Sequence, residues 1–193
     1  MFIVSIIVIA LALGIVDMLL FRRCAEATPV RLSAGLALAF IVAAIHVLLL
    51  WVGSLVGSLL RLESPDDPAM YSDIDAYIFL GMTLVVVLKM LVPYLRREPH
   101  LPLFNLHSFP SVLAMATATG INVLLLGIGI GFVDSGCNPH WLVWPLLVSG
   151  TLLGYLGLMF GRQHVEMRPR RWMVVACVLL LGVAIAATYN ATH

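Results

Sequence analysis

The distribution of apolar residues divides the chain into six long stretches. They cover approximately residues 2–21, 33–60, 76–95, 111–133, 141–161 and 171–189. A helix needs roughly 20 predominantly apolar residues, at about 1.5 Å rise per residue, to cross the hydrocarbon layer of a bilayer. The pattern therefore predicts an all-α integral membrane protein with six transmembrane helices.

Composition supports this interpretation and narrows the function classes. Of the 193 residues, 62% are hydrophobic and 11% are charged, and the mean hydropathy is +1.05, which lies outside the range of soluble domains. The net charge of +1 creates no field that would attract nucleic acid, so the expected partner is the lipid bilayer. Because the sequence contains no GxSxG, HExxH, Walker or dinucleotide motif, we do not expect an enzyme.

Charged residues alternate in sign between successive connections. The first, third and fifth connections are basic, whereas the second is acidic and the fourth contains no cation. Lys and Arg are retained on the cytoplasmic side, so the odd-numbered connections are predicted to be cytoplasmic and both termini to lie outside. The acidic residues of the second connection could collect metal ions, but a solvated outer loop is the favoured interpretation; they are Glu63, Asp66, Asp67, Asp73 and Asp75.

Two motifs recur in the two halves of the chain. Gly14-Ile-Val-Asp17 precedes an aliphatic run in the first stretch, and Thr119-Gly-Ile-Asn122 does the same in the fourth. Three helices per half would place a duplicated unit in the membrane in opposite orientations. The sequence thus predicts two inverted three-helix repeats, residues 1–100 and 101–193, within one membrane domain, and it makes Asp17 the counterpart of Asn122.

Glycines four residues apart occur near the ends of the second and fifth stretches. Small residues at this spacing allow helix backbones to approach closely in lipid, where no hydrophobic drive favours helix association. We therefore assign helix packing, and no chemistry, to Gly53, Gly57, Gly157 and Gly161.

Asp17 is the strongest candidate for a functional residue. A carboxylate within a span costs about 2.5 kcal/mol or more unless it faces a partner, water or a cation. The alternative is that Asp17 reaches the cytoplasmic interface and pairs with Arg22 or Arg23.

Other polar residues at membrane depth are weaker candidates. His46 could ligate a transition metal, carry a proton or form an interhelical hydrogen bond. Asn122 could complete a cation site with Asp17 or hydrogen-bond to a neighbouring helix. Secondary candidates are Thr83, Thr119 and Thr151, whose hydroxyls can also hydrogen-bond to the backbone of their own helix. Lys89 is a further candidate, which can extend toward the cytoplasmic face or act as a counter-ion to Asp17.

Five short motifs together resemble a known family. They are Ala12-Leu-Gly-Ile-Val-Asp17, Trp51-Val-Gly53, Phe79-Leu-Gly81, Ala118-Thr-Gly-Ile-Asn122 with the following Gly127-Ile-Gly-Ile-Gly-Phe132, and Leu156-Gly-Leu-Met-Phe-Gly-Arg162. Their order and spacing over residues 7–189 are similar to those of the small bacterial manganese efflux pumps of the MntP type, within the lysine-exporter superfamily.

The resemblance implies two inverted repeats, a bacterial inner-membrane location and manganese export carried by intramembrane acids of both repeats. Asp17 matches the first-helix acid of that family. Asn122 replaces the fourth-helix acid, His46 occupies the second-helix glutamate position, and Thr83 and Val87 stand where relatives carry an arginine and a glutamate. Since Mn²⁺ favours carboxylate, carbonyl and water ligands, these departures suit a softer or more weakly bound ion, or a different solute.

The sequence therefore predicts a secondary transporter that exports Mn²⁺ or a related divalent cation, with Asp17, His46 and Asn122 at the interface between the repeats. The cation is transported and no permanently bound cofactor is expected. Alternatives are a divergent transporter of a small organic or amino-acid-like solute, and a non-transporting membrane scaffold subunit. The expected partners are the lipid bilayer and the transported cation, and these expectations are compatible with a homo-oligomer.

Overall fold

The computed structural model describes residues 2–60, 68–95, 103–133 and 140–192, which form six α-helices without a β-strand. All six are long and apolar enough to cross a membrane, and the shortest has 23 residues, equivalent to about 34 Å. The prediction of an all-α protein with six spans is confirmed. The helices are α1 (Phe2–Ala27), α2 (Leu32–Leu60), α3 (Pro68–Leu95), α4 (Phe109–Phe132), α5 (His140–Arg162) and α6 (Pro169–Thr192).

Two helices extend beyond the apolar stretches that predicted them. α1 continues to Ala27, so that Arg22 and Arg23 are helical. α3 begins at Pro68, a residue that fits the first turn of a helix because the missing N–H has no helical partner there. Asp73 and Asp75 consequently belong to α3, and their assignment to the second loop was wrong. The other acids of that loop, Glu63, Asp66 and Asp67, lie outside the described residues.

Helices of the first half pack on helices of the second half. The principal pairs are α1 with α5, α2 with α4, and α3 with α6; α2 also meets α5, α3 meets α4, and α1 meets α6. In the described ranges, no two helices of the same half approach within 8 Å between Cα atoms. If α1, α2 and α3 are exchanged with α4, α5 and α6, respectively, the same set of helix pairs results. This symmetry is expected for duplicated three-helix units. The inverted relationship of the units stays a prediction.

Close backbone contacts fix the relative directions of the four central helices. In the α2–α4 glycine contact, Gly53 faces Leu124 O and Gly57 faces Ile128 O, so these helices are parallel. The α1–α5 glycine contact is also parallel, because Gly157 faces Met18 O and Gly161 faces Arg22 O. α2 and α5 are antiparallel: Gly150 packs on Ala43, and Gly35 packs on Leu158. The two glycine contacts therefore lie toward opposite ends of the bundle.

Candidate cation site

Asp17 of α1 and His46 of α2 form a buried polar pair at the centre of the bundle. The Oδ2 atom of Asp17 lies 3.1 Å from Nδ1 of His46, and the two residues are 3% and 1% exposed. Since the α1 and α2 backbones do not approach within 8 Å, only the side chains connect these helices. The structure thus brings together two residues that the sequence nominated separately.

The other side of the imidazole is held by α4. His46 Nε2 lies 3.2 Å from Ala116 O and 2.9 Å from Thr119 Oγ1. A carbonyl oxygen can only accept, and the Thr119 hydroxyl can donate its own proton to Met115 O at 3.1 Å. The arrangement therefore requires Nε2 to carry a hydrogen and donate it to α4.

This orientation leaves Nδ1 facing the carboxylate. Nδ1 lies 3.1 Å from Asp17 Oδ2, within ion-pair distance, and has no other polar partner among the described residues. In a neutral imidazole with hydrogen on Nε2, the Nδ1 lone pair and the carboxylate lone pairs meet across this gap. Only a positively charged species, a proton or a metal ion, can occupy the space between them favourably.

The alternative position proposed for Asp17 at the cytoplasmic interface is not observed. α1 continues ten residues beyond Asp17, and the carboxyl is buried. Arg22 instead pairs with Glu26 at 2.9 Å and donates to Met167 O at 3.2 Å. The buried acid thus faces His46, whereas the guanidinium of Arg22 is engaged with Glu26 and Met167.

Small residues of α5 complete the surroundings of Asp17. A Cβ atom at Gly150 would lie 3.8 Å from Asp17 Oδ2 and 3.1 Å from the Ala43 side chain. The neighbouring Ser149 Oγ donates to Ala10 O at 2.9 Å and ties α5 to α1. Gly150 thereby leaves space beside the carboxylate. Sequence reasoning missed both residues, because a Ser-Gly pair within a span is indistinguishable from ordinary helix packing.

Asn122 is buried on α4 one helical turn after Thr119, but it is displaced around the helix toward α3. Its Oδ1 atom has no hydrogen-bond partner in the part of the chain that the structure describes. Gly129, two helical turns further on, packs on Phe79 and Met82 of α3, whereas Gly120 packs on Leu49 of α2. Asn122 therefore faces the α3 side, and the predicted cation site that joins it to Asp17 stays a prediction.

The glycine contacts also give a spatial equivalence between α1 and α4. Met18 O of α1 faces Gly157 of α5, and Leu124 O of α4 faces Gly53 of α2 in the same way. When these two contacts are superposed, the counterpart of Asp17 is Val123 and not Asn122. A displacement by one residue rotates a side chain by about 100° around the helix. The recurring sequence motifs are thus one residue out of register with the packing.

The secondary candidates occupy different environments. Thr119 contacts His46, whereas buried Thr83 donates to Phe79 O of its own helix. The Thr151 hydroxyl is buried without a hydrogen-bond partner among the described residues. Lys89 is exposed on α3, and no ion pair joins it to Asp17 among the described residues, so its role as a counter-ion stays a prediction. Of the four, only Thr119 is joined to the Asp17–His46 pair.

The packing role of the four predicted glycines is visible in the geometry. A Cβ atom at Gly53, Gly57, Gly157 or Gly161 would collide with a backbone oxygen of the neighbouring helix. Such collisions cannot be relieved by a side-chain rotation. Gly127 and Gly131 of α4 meet Leu50 O and Ser54 O of α2 in the same way.

Protein ligands for a metal ion are few. No group of three His, Cys, Asp or Glu side chains that could hold a metal occurs among the described residues. A cation at Asp17 and His46 would need neutral oxygens or water to complete its coordination.

The model of the family Mntp, described as “Putative manganese efflux pump”, matches residues 29–187. The chain belongs to this family. The Mntp match includes His46, Thr119 and Asn122 but begins after Asp17, and it confirms the resemblance inferred from the motifs. Neither a curated protein nor a solved structure matches the chain. Membership of the Mntp family and six membrane-spanning helices together support a membrane transporter for manganese efflux.

Proposed function

We propose that this protein is a secondary transporter that exports Mn²⁺ or a related divalent cation, which Asp17 and His46 bind in transit. The observation that carries the proposal is the pair of facing donor atoms, Nδ1 and Oδ2, which lie 3.1 Å apart and buried among helices long enough to span a membrane. The Mntp family match supplies the class of solute.

The geometry of the pair suits a metal ion. With metal–ligand distances of about 2.1–2.2 Å, donor atoms 3.1 Å apart subtend roughly 90–95° at the ion, which is suitable for neighbouring ligands of an octahedral site. A metal-binding histidine commonly donates its second N–H to a carbonyl, which orients the ring. His46 has this arrangement, because Nε2 lies 3.2 Å from Ala116 O.

Energetics favour a cation at this position. An ionised Asp near the middle of a membrane helix costs about 2.5–3.5 kcal/mol on insertion scales. Asp17 is 3% exposed, and no water-facing surface offsets this cost in the observed state. Attraction between the carboxylate and a cation is strong in a medium of low dielectric constant, so an ion passing between α1 and α2 would be stabilised here.

Alternating access is the proposed means of transport. The site lies between the α2–α4 glycine contact, toward one end of the bundle, and the α1–α5 glycine contact, toward the other. The proposal includes two inverted repeats, residues 1–100 and 101–193, supported by the exchange pattern of the helix pairs. Opening one contact while the other stays closed would expose the site to one side at a time.

Transport by the full chain in liposomes tests the proposal. An encapsulated metal-sensitive dye should report Mn²⁺, Co²⁺ or Zn²⁺ entry, and Asp17→Asn should reduce the rate to that of empty liposomes. Glu26→Gln is the matched control, because Glu26 pairs with Arg22 away from the site. Wild-type rates in the Asp17→Asn variant would contradict the proposed site.

The same assay separates the alternatives. A non-transporting scaffold and an occluded transporter both bury Asp17, but only the transporter moves an ion. A transporter of an organic or amino-acid-like solute would leave the metal dye unchanged and would exchange a radiolabelled solute instead. Expression in manganese-stressed cells gives an independent measurement, since export should raise the tolerated metal concentration.

We also propose a bacterial inner-membrane location with both termini outside the cytoplasm, on the basis of the alternating charges of the connections. Alkaline phosphatase fused to the C-terminus should then be active, and a fluorescent protein fused there should be dark. The reverse result would invert the orientation.

A further inference from the structure

The donor set around Asp17 is mixed in chemistry. It offers a single carboxylate and a single imidazole nitrogen, and no third His, Cys, Asp or Glu side chain joins them among the described residues. Neighbouring polar groups with described contacts are hydroxyls, those of Thr119 and Ser149. The imidazole thus contributes a large share of the coordination available from the protein.

An imidazole nitrogen discriminates between divalent ions. Carboxylate, carbonyl and water ligands suit Mn²⁺, whereas imidazole suits later transition metals such as Co²⁺, Ni²⁺ and Zn²⁺. For a given site with nitrogen and oxygen ligands, affinity rises from Mn²⁺ through Co²⁺ to Ni²⁺, and Mn²⁺ binds most weakly. A site with one carboxylate also provides little electrostatic attraction to offset the weaker binding of Mn²⁺.

The ring of His46 is held in place to act as a ligand. Nε2 donates toward α4, to Ala116 O and Thr119 Oγ1, which aims Nδ1 at the space beside Asp17. The side chain is 1% exposed and cannot rotate into solvent. Removal of a hydrogen-bond partner of a metal-binding histidine commonly changes metal affinity by about 10–100-fold. The orientation of the His46 ring therefore favours metal binding through Nδ1.

We propose that His46 makes this site selective for divalent ions that accept imidazole, represented by Co²⁺ and Zn²⁺, over Mn²⁺. The inference rests on the proposed function, because it assumes that the transported ion binds at Asp17 and His46. It assigns His46 the role of a specificity-determining residue, with Asp17 as the charged ligand common to all the ions.

Competition transport with the full chain in liposomes tests the selectivity. Wild-type protein should move Co²⁺ or Zn²⁺ faster than Mn²⁺ at equal concentration. His46→Asp replaces the nitrogen ligand by a carboxylate and should shift the Co²⁺/Mn²⁺ rate ratio toward Mn²⁺ by about tenfold or more. His46→Gln, which supplies neutral polar atoms of similar size, should reduce the preference for Co²⁺ without a gain for Mn²⁺, and it serves if His46→Asp does not fold.

Binding of Co²⁺ to detergent-purified protein gives a readout that does not need transport. Visible absorption bands of bound Co²⁺ should appear in the wild type and change in position and intensity in His46→Asp and His46→Gln, because a nitrogen ligand is lost. Glu26→Gln should leave the bands unchanged.

The outcomes separate the two proposals. Faster Mn²⁺ than Co²⁺ transport by the wild type, or a rate ratio unchanged by both His46 variants, overturns the selectivity while divalent transport survives. Spectra that depend on His46 in a protein that moves no ion overturn the proposed function and support His46 as a ligand. Absence of both transport and Co²⁺ binding overturns both proposals.

Discussion

The α2–α4 and α1–α5 glycine contacts achieve close helix packing with different residues. In the α2–α4 contact both helices contribute glycine: Gly53 and Gly57 from α2, and Gly127 and Gly131 from α4. In the α1–α5 contact the glycines that would collide with backbone oxygens, Gly157 and Gly161, belong to α5, and α1 contributes Gly14, whose added Cβ would lie 3.2 Å from Ser149 O. α1 supplies larger residues there, including Phe21 beside Gly154 and Ala25 beside Gly161.

The difference shows that close approach needs a missing side chain on only one helix at each crossing. Small residues are favoured at membrane helix interfaces because van der Waals packing, and not water exclusion, drives the association. The α2–α4 contact has glycine on both helices, so we expect it to tolerate an added methyl group least. The α1–α5 contact places flexible side chains beside some of its glycines and should tolerate more.

The largest expected effect follows from Gly57→Ala. The added methyl would collide with Ile128 O and approach Gly131 Cα at 3.0 Å, and both are backbone atoms. We expect the free energy of unfolding in detergent to fall by about 3 kcal/mol or more. Thermal unfolding followed by size-exclusion chromatography measures this change.

Two other glycines calibrate the measurement. At Gly14 the added methyl meets the end of the flexible Leu153 side chain at 2.7 Å and lies 3.2 Å from Ser149 O, so the cost of Gly14→Ala should be smaller, about 1–2 kcal/mol. Gly81 has no neighbouring atom within 4 Å of the added position and should be neutral. Equal losses at Gly57 and Gly14 would contradict the distinction between glycines that collide with a neighbouring backbone and glycines whose shortest contact is a flexible side chain.

An intermediate effect is expected from Thr119→Val, which removes the polar link between α4 and His46. The His46 ring would lose its hydroxyl partner at 2.9 Å while the shape of the side chain is kept. We expect transport to fall by about tenfold with little change in stability. Thr119→Ser should restore the rate.

Thr117 is the matched control for this substitution. Its hydroxyl donates to Leu113 O and Ala114 O of its own helix and lies on an exposed face of α4. Thr117→Val should leave transport unchanged. If both valine variants lose activity equally, the role of Thr119 at the site is wrong.

The smallest effect is expected from Ser149→Ala, which removes the corresponding polar link between α5 and α1. The Ser149 hydroxyl donates to Ala10 O at 2.9 Å, and such interhelical bonds contribute about 0.6 kcal/mol on average in a membrane protein. Chemical unfolding in mixed micelles measures the change. A loss several times larger would show that the bond organises the site beside Gly150.

Much of the fold follows from the sequence. Six apolar stretches give six helices, since hydrophobic length and the need to satisfy the backbone in lipid leave few alternatives. The exact ends were less predictable: α3 begins at Pro68 because charged residues can extend a helix beyond the hydrocarbon. Glycine spacing gave the packing positions at Gly53 and Gly157, although not which helix each would meet.

Less of the candidate site could be predicted. Burial in apolar segments identified Asp17 and His46, but a periodic pattern does not tell which faces of different helices meet. The pairing of Asp17 with Asn122 relied on similar motifs, and helix packing displaces Asn122 by one residue from the equivalent position. Ala116 is invisible to sequence reasoning because it acts through its backbone oxygen.

The absence of close backbone contacts within either half has a consequence for biosynthesis. Over the described ranges, α1, α2 and α3 have their packing partners in α4, α5 and α6, which leave the ribosome later. During synthesis α2 and α3 therefore gain their first close backbone contacts when α4 is inserted, and α1 gains most of its contacts when α5 and α6 follow. The helix packing thus resembles that of a dimer of two different three-helix subunits joined by a linker. The two halves expressed as separate polypeptides should therefore assemble.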